Sequence, residues 1–321
     1  MGLGEVFSAT WQDYKKNFKL VLKTFWWFNI LPAIVLGAIF LIIFLFFLSS
    51  IPRFNSEAYT NLTGANLASL TGNAIKDSSN LSLFGYTIVF IVFIVIFAVV
   101  MIVFSILLYT TIYYASLYNK KDMGFRQAAS MGKRYFWKFL GLSLLVALFI
   151  FLFYVPGILS IIIDVGLWKF LDMAVKVILV LVSVVLFILA FIFSLYFGVS
   201  WLFSPYALIG ENKKIRESMK ASRQITKGRW WMVFGYAILA GLIAVGISMV
   251  FAIPSFFISI FISLFSFGLL AIGSVAGYAV LLILSLGVQY IFNLAAAIAI
   301  TPFIVFFFKN FYLELRKSAK R

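Results

Sequence analysis

The sequence predicts an all-α integral membrane protein with six transmembrane helices, arranged as three hairpin units that are each preceded by an amphipathic helix. Hydrophobic residues make up 64% of the 321 residues and charged residues only 11%. A soluble domain contains roughly 45–50% apolar residues and about 25% charged residues. The apolar residues form runs long enough to cross a bilayer, and the basic residues are concentrated between alternate runs. These observations exclude a water-soluble globular protein and, with 39 phenylalanines, a disordered chain.

Each predicted span is a run of about 20 or more mostly apolar residues, the length that a helix needs to cross the hydrocarbon core. The first four runs are Phe25–Ser49, Phe84–Tyr118, Phe139–Ile163 and Met173–Ile209. No charged residue occurs between Arg229 and Lys309, and we divide that stretch into two spans, about 230–253 and 275–308. The apolar segment 254–274 between them predicts either a buried or interfacial hairpin or an extension of both helices.

The charge distribution predicts which side of the membrane each connection faces. Of the 26 basic residues, 22 lie in four segments: 1–24, 119–138, 210–229 and 309–321. The connections 50–83 and 164–176 each carry as many acidic as basic residues, so the whole net charge of +16 lies in the four segments. Because short cytoplasmic loops are enriched in Lys and Arg, we expect a multi-pass protein of the cell (plasma) membrane. Both termini and the basic tail 309–321 are then cytoplasmic, and the polar loop 50–83, with sequons at Asn61 and Asn80, is outside.

A three-residue frame recurs in the amphipathic segments and predicts an internal repeat. An apolar residue is followed eight residues later by Lys and three residues further by an aromatic residue. The sets are Phe7, Lys15 and Phe18; Phe125, Lys133 and Phe136; and Met219, Lys227 and Trp230. We therefore treat 1–321 as a single polytopic membrane domain with units near 1–118, 119–212 and 213–310. The alternative, that basic segments in an aromatic-rich chain show this spacing by chance, stays open.

The third amphipathic segment resembles a known membrane family. Residues 215–231 contain Ser222 followed by Lys227-Gly228 and then Trp230-Trp231, at the entry to a span. This stretch is similar to the signature of the membrane domain attached to some bacterial and archaeal glycerophosphodiester phosphodiesterases, which also has free-standing six-span relatives. The opening stretch from Leu3 to Phe7 is similar to that family as well. The resemblance implies a six-span membrane module in which the catalytic phosphodiesterase domain is absent.

The residue inventory predicts that the protein is not an enzyme and holds no metal or other cofactor. The chain has no His and no Cys, which removes the commonest metal ligand and general base. Asp164 and Asp172 lie eight residues apart in one outer connection, about two helical turns, and we interpret them as charges at helix ends.

A small group of polar residues occurs in the sixth span. Gln289 and Asn293 are four residues apart and share a helix face with each other, and Tyr290 lies beside them. Two interpretations of this intramembrane polar patch stay open. The side chains either form hydrogen bonds between helices or line a ligand path.

The basic helix faces are the strongest functional signal. Arg216, Lys220, Arg223 and Lys227 recur at steps of 4, 3 and 4, which places them on one helix face. With Lys15 and Lys133 they are the candidate lipid-headgroup ligands, because anionic lipids attract juxtamembrane cations by about 1 kcal/mol each. We expect a non-enzymatic scaffold or accessory protein that binds anionic lipid or a membrane protein partner. The alternative is a transporter or permease component for a small or lipid-like solute, and no nucleic-acid partner is expected.

Overall fold

The computed structural model describes residues 3–50, 79–118, 123–168, 171–271 and 275–318, and this part of the chain is helical with no strand. The elements are α1 (Leu3–Phe25), a π-helical turn (Trp26–Ile30), α2 (Leu31–Ser50), α3 (Ser79–Leu117), α4 (Phe125–Leu167), α5 (Met173–Ser200), α6 (Ser204–Gly210), α7 (Ile215–Thr226), α8 (Trp230–Ala271) and α9 (Val275–Ser318). Within these described residues, six helical segments are long and apolar enough to cross a membrane. The predicted fold class is confirmed, and the protein is a multi-pass membrane protein.

Several helices extend beyond the predicted spans. The stretch 254–271 continues α8, so it extends the fifth span and forms no hairpin of its own. At the other end, α9 includes most of the predicted basic tail. Helices also continue through Pro156, Pro254 and Pro302. Most of the predicted outer loop lies outside the described residues, because the description omits 51–78.

Only the third amphipathic segment forms a helix separate from its span. The first leads through the π-helical turn into α2, and the second is the beginning of α4. At the start of α7, Glu217 accepts a hydrogen bond from the backbone N–H of Lys214 at 3.2 Å. After its end, Gly228 adopts a φ of +77°. Glycine reaches this region without the steric cost of a Cβ, so the chain can turn sharply between α7 and α8.

The chain divides into two compact units. One comprises Met1–Thr24 and Tyr109–Arg321, and the other comprises Phe25–Leu108. In the second unit, α2 and α3 contact each other through ring pairs such as Phe40 and Phe93, whose centroids are 5.8 Å apart. All the predicted site residues lie in the first unit. The single domain with three repeat units stays a prediction.

Aromatic side chains of α6, of Phe203 just before it, and of the last turns of α9 form the core of the first unit. Phe203, Tyr206, Phe306, Phe307 and Tyr312 are each at most 1% exposed. The rings of Tyr206 and Tyr312 stack with centroids 5.7 Å apart, and the Tyr206 hydroxyl donates to the carbonyl of Val305 at 2.8 Å. Such stacked pairs contribute about 0.5–1.5 kcal/mol beyond their buried area. The core therefore lies beside the basic segments, not in the middle of the long helices.

A buried ion pair joins α1 to α9. The Lys309 ammonium lies 2.5 Å from Asp13 Oδ2, and the Lys309 side chain is only 8% exposed. Asn310 donates to the same carboxylate oxygen at 3.2 Å. A charge removed from water needs such partners, because its desolvation costs several kcal/mol. Lys309 thus belongs to the packed structure, although the sequence placed it in a basic tail.

A serine of α7 forms hydrogen bonds with two backbone groups in the connection between α5 and α6. Ser222 Oγ donates to the carbonyl of Ser200 at 2.7 Å and accepts from the N–H of Phe203 at 3.1 Å. Buried backbone groups outside regular structure need partners of this kind. Because Ser222 is fully buried, α7 packs into the fold on this side. We call the region formed by α1, the start of α4, α6, α7 and the end of α9 the basic end.

Candidate functional site

A groove beside α7 brings together three of the six predicted headgroup ligands: Lys220, Arg223 and Lys227. Its volume is about 370 Å³. The remaining lining residues are Tyr196 and Ser200 of α5, Gln224 and Thr226 of α7, Gly228 in the following turn, and Trp230 of α8. We call this feature the α7 groove.

Helical spacing and the turn after α7 place the three cations at the groove. Lys220 and Arg223 are three residues apart and therefore lie on one side of the helix. Lys227 follows the last helical residue with extended backbone. The opposite side of α7 is buried through Ser218, Met219 and Ser222. Burial of one face thus directs the basic face outward.

Two aromatic residues form a fixed wall of the α7 groove. The Trp230 indole N–H donates to the carbonyl of Tyr196 at 3.2 Å. Their rings stack with centroids 5.8 Å apart and an interplanar angle of 21°. Trp and Tyr are favoured at membrane–water interfaces because one part of each ring system is apolar and the other polar. This wall suits a position at the level of lipid headgroups.

The α7 groove carries positive charge that no neighbouring carboxylate neutralises. None of its lining residues is acidic, and within the described ranges none of its three cations forms an ion pair. All three side chains are exposed. An Arg guanidinium offers paired donors to phosphate oxygens, and Lys adds a compact charge. The arrangement is therefore suited to bind a phosphate or another oxyanion.

The other predicted headgroup ligands lie outside the α7 groove. The Lys15 ammonium sits over the Trp11 ring, 5.2 Å from its centroid, and Lys133 and Arg216 are exposed elsewhere. The structure shows a second basic groove of about 460 Å³ that the sequence analysis did not single out. Its cations are Lys16, Lys19 and Lys23 of α1, and it also borders Met123, Gly124 and Phe125. Their spacing of three and four residues was the signal that could have identified it.

Other cations at the basic end are neutralised by Glu211. Its carboxylate lies 2.6 Å from the Lys213 ammonium and 3.4 Å from the Arg316 guanidinium, and it accepts a hydrogen bond from Tyr312. Burial opposes ionisation of this carboxyl, but the hydrogen bonds and cations outweigh it and lower the pKa of Glu211 below its ordinary value. The basic end therefore contains cations that are paired for structure, as well as the three cations of the α7 groove, which form no ion pair within the described ranges.

The polar patch of the sixth span borders a groove between α8 and α9. Gln289 and Asn293 both line it, and its volume is about 380 Å³. Gln289 Nε2 donates to Ser259 Oγ at 3.3 Å, which fits the interpretation as a hydrogen bond between helices. Tyr290 is 40% exposed and is not among the lining residues. We call this feature the α8–α9 groove.

The two outer carboxylates have different environments. Asp172 is exposed at the start of α5, as a charge at a helix end should be. Asp164 also lies near a helix end, in the last turn of α4, but it is only 7% exposed. Over the described residues, no group of three or more His, Cys, Asp or Glu side chains could hold a metal ion. The absence of enzymatic activity and of a cofactor stays a prediction.

A scan against protein-family models finds no match, and searches of curated proteins and of solved structures find none. The resemblance of residues 215–231 to the membrane domain of glycerophosphodiester phosphodiesterases therefore stays a prediction.

Proposed function

We propose that the protein is a non-enzymatic membrane module that binds the phosphate headgroup of anionic lipids in the α7 groove. One observation carries this proposal: three cations without a neighbouring carboxylate line the same groove as the stacked rings of Trp230 and Tyr196. Each juxtamembrane cation contributes about 1 kcal/mol of attraction to an anionic surface. Three cations that converge on one headgroup add geometric selectivity to that attraction, since Arg can bind two phosphate oxygens at once.

The proposal includes an orientation in the cell membrane. Both termini and the basic end face the cytoplasm, where the lipid surface is negatively charged. The positive-inside distribution of Lys and Arg supports this orientation. The module then acts as a scaffold or accessory protein that holds an anionic lipid. A membrane protein partner with acidic loops could bind the same surface instead. Nucleic acid is not part of the proposal, because the topology accounts for the charge.

Lipid titration with matched charge variants tests the proposal. The triple variant Lys220→Gln, Arg223→Gln, Lys227→Gln removes the cations of the α7 groove. The control Arg126→Gln, Arg134→Gln, Lys317→Gln removes three exposed cations of α4 and α9 that do not line this groove. Each protein is placed in phosphatidylcholine nanodiscs with increasing phosphatidylglycerol, and bound lipid is counted by native mass spectrometry.

We expect the groove variant to bind phosphatidylglycerol at least about tenfold more weakly, the factor that corresponds to about 1.4 kcal/mol. The control variant should bind phosphatidylglycerol at least about tenfold more tightly than the groove variant, because its cations supply only the general attraction to an anionic surface and do not converge on one headgroup. Equal losses of phosphatidylglycerol affinity in the two triple variants would show that the basic residues only set the orientation in the membrane. That result would overturn the proposal.

Cysteine labelling tests the orientation, and the absence of native Cys makes it direct. Ser130→Cys lies at the basic end and Asp172→Cys at the other end of α4 and α5, and both positions are exposed. A membrane-impermeant maleimide added to intact cells should label Asp172→Cys and spare Ser130→Cys. The reverse pattern would place the basic end outside and contradict the proposed orientation.

The second candidate function, a transporter or permease component for a small or lipid-like solute, is favoured by the α8–α9 groove. Its cavity reaches both amides of the predicted polar patch, as a ligand path would require. In a water-filled path, Asn293→Cys should react rapidly with a charged thiol reagent, because thiolates form readily only in water. Absence of reaction would leave Gln289 and Asn293 with a packing role and exclude this function.

A further inference from the structure

The three cations of the α7 groove are spaced as a row along one helix face, which we call the basic row. Lys220 and Arg223 belong to α7, and Lys227 keeps a helical φ of −60° although its ψ of 129° is extended. The backbone N–H of Lys227 donates to the carbonyl of Arg223 at 2.9 Å, as in a continuing helix, so its Cβ lies close to a helical position. Helical neighbours three or four residues apart have Cβ atoms about 5–6 Å apart. Arg223 is therefore flanked by one Lys on each side.

A type II turn holds the end of the basic row. Its central residues are Lys227, with the φ and ψ given above, and Gly228, with a φ of +77°. These angles are close to the standard ones for this turn, in which the third residue requires a positive φ. The backbone N–H of Arg229 closes the turn by donating to the carbonyl of Thr226 at 3.0 Å. The turn thus keeps Lys227 beside α7 while the chain continues into α8.

The charges of the basic row repel one another. Like charges at neighbouring positions of a helix face are destabilising, and none of the residues that line the α7 groove is acidic. An anion with a single charge balances only one of the three cations. An anion with two charges removes more of the repulsion, so the groove favours a ligand with more than one negative charge.

Phosphate headgroups differ in their charge and in their number of free oxygens. A phosphodiester, such as phosphatidylglycerol, has one negative charge and two free oxygens. A phosphomonoester has a charge of about −1.5 to −2 at neutral pH and three acceptor oxygens, because its second pKa is about 6. The basic row offers one guanidinium, which binds two oxygens at once, and two ammonium groups, which act as compact charges. Its charge and its donors thus match a phosphomonoester better than a phosphodiester.

We propose that the α7 groove selects a phosphomonoester over a phosphodiester. This inference rests on the proposed function, since it names the class of headgroup that the same groove prefers. Arg223 binds two of the phosphate oxygens, and Lys220 and Lys227 approach the phosphate from either side along the row. Phosphatidate and a soluble phosphomonoester such as glycerol 3-phosphate share this chemistry. The rings of Trp230 and Tyr196 offer apolar surface beside the cations, where the acyl chains of a lipid can pack.

A matched pair of lipids tests the headgroup class. Phosphatidylmethanol is the methyl diester of phosphatidate, so with equal acyl chains the two lipids differ by one methyl group on one phosphate oxygen. Each lipid is titrated at about pH 8 into the protein in phosphatidylcholine nanodiscs, and bound lipid is counted by native mass spectrometry. We expect phosphatidate to bind about tenfold or more tightly, the effect of one additional hydrogen bond between charged groups. Equal binding of the two lipids would overturn the proposal.

The pH dependence of this preference tests its cause. At about pH 5 a phosphomonoester has lost most of its second charge, so the ratio of the two affinities should fall below about threefold. The titratable side chains that line the groove are Lys220, Arg223, Lys227 and Tyr196. The ratio is the readout, because a change in these side chains affects the binding of both lipids. A preference of the same size at both pH values would contradict the second charge as its cause and overturn the proposal.

Single-charge variants test whether the basic row makes the selection. Lys220→Gln and Lys227→Gln each leave two cations, which are enough for the two free oxygens of a phosphodiester. The ratio of affinities should therefore fall from about tenfold to below about threefold in each variant. Lys317→Gln is the control, because Lys317 is exposed on α9 and does not line the groove. An equal fall in Lys317→Gln would assign the preference to the overall positive charge and overturn the proposal.

Soluble competitors distinguish the two sources of the phosphomonoester. Displacement of bound phosphatidate by millimolar glycerol 3-phosphate would assign the groove to a soluble ligand, and retention of the lipid would assign it to phosphatidate. Equal displacement by glycerophosphoglycerol, which is a phosphodiester, would overturn the selection.

The triple variant of the α7 groove separates failure of this inference from failure of the proposed function. If phosphatidate and phosphatidylmethanol bind equally and the triple variant weakens both, only the preference for a phosphomonoester is wrong. If the triple variant binds both lipids as tightly as the native protein does, the proposed function is wrong as well. We expect the triple variant to weaken both lipids and to lose the preference for phosphatidate.

Discussion

The two ends of the α8–α9 hairpin have similar aromatic composition and opposite packing. Near the end of α8, Phe256, Phe257, Phe261 and Phe265 are 58–65% exposed. Near the end of α9, Phe303, Phe306, Phe307 and Phe311 are at most 5% exposed. Lipid tails are as apolar as a protein core, so hydrophobicity alone does not bury a side chain in a membrane protein. The difference in burial must therefore come from polar contacts, which apolar residues do not make.

Those contacts occur at the basic end. The buried phenylalanines lie among polar and small residues with specific partners, such as Asp13 with Lys309 and Ser222 with the backbone after α5. Each such partner is costly to remove, because the group left behind is buried. The comparison therefore predicts that one type of substitution has different effects at the two ends.

The largest effect is expected from breaking the buried ion pair. Lys309→Met leaves the Asp13 carboxylate without its cation, at a cost of about 3 kcal/mol, the lower end of the range for buried pairs because Asp13 keeps 19% exposure. Thermal unfolding in detergent measures the loss. The double variant Asp13→Asn, Lys309→Met should recover part of it, and full stability of Lys309→Met alone would show that the pair contributes nothing.

Replacement of serine by alanine should also affect stability differently at the two ends. Ser222→Ala removes the partner of two buried backbone groups and should cost about 2 kcal/mol. Ser263→Ala is the matched control, since its exposed hydroxyl donates to the carbonyl of Ser259 in its own helix. It should change stability by less than about 0.5 kcal/mol. Equal melting temperatures of the two variants would contradict the role of Ser222.

Glycine substitutions are expected to differ in sign. A Cβ at Gly132 would lie 2.5 Å from Thr111 Oγ1 and 3.1 Å from its backbone nitrogen, so Gly132→Ala should destabilise by about 1–2 kcal/mol through overpacking. A Cβ at Gly246 meets nothing within 4 Å. Gly246→Ala should therefore leave stability unchanged or raise it by about 0.5 kcal/mol through helix propensity. Thermal unfolding of both variants under the same conditions measures the two changes in stability.

The smallest effect is a pH dependence at the basic end. The pKa of Glu211 is lowered in the folded protein, so the folded state binds its proton less readily than the unfolded state does. The stability from its ion pairs is therefore complete above the ordinary carboxyl pKa near 4.5 and is lost as the pH falls through the lowered value. Glu211→Gln should flatten that part of the stability profile. An unchanged acid slope would assign the dependence to other groups.

The sequence predicted the fold class because composition and charge are properties of long segments. Six apolar runs and the asymmetry of Lys and Arg were sufficient for that purpose. The extension of α8 through 254–271 could not be predicted, since a uniformly apolar stretch has no periodicity that distinguishes a helix from a hairpin.

The candidate site was predicted in part for a similar reason. The spacing of Lys220 and Arg223 gave their shared face of α7, and a single helix is enough to establish that. Lys227 reaches the groove from the extended residue after the helix. Burial of Lys309 and Asp164 depends on partners far away in the chain, namely Asp13 and Ser183. Such long-range contacts leave no local pattern in the sequence.

Photo-crosslinking with an anionic lipid tests the central claim most directly. A phosphatidylglycerol analogue with a photoreactive headgroup is incorporated into nanodiscs with the native protein, and the adducts are mapped by peptide mass spectrometry. We predict that adducts concentrate on residues that line the α7 groove, above all Gln224 and Trp230, and disappear in the Lys220, Arg223, Lys227 triple variant. Adducts spread over all four basic segments in proportion to their charge would contradict a headgroup site in the α7 groove.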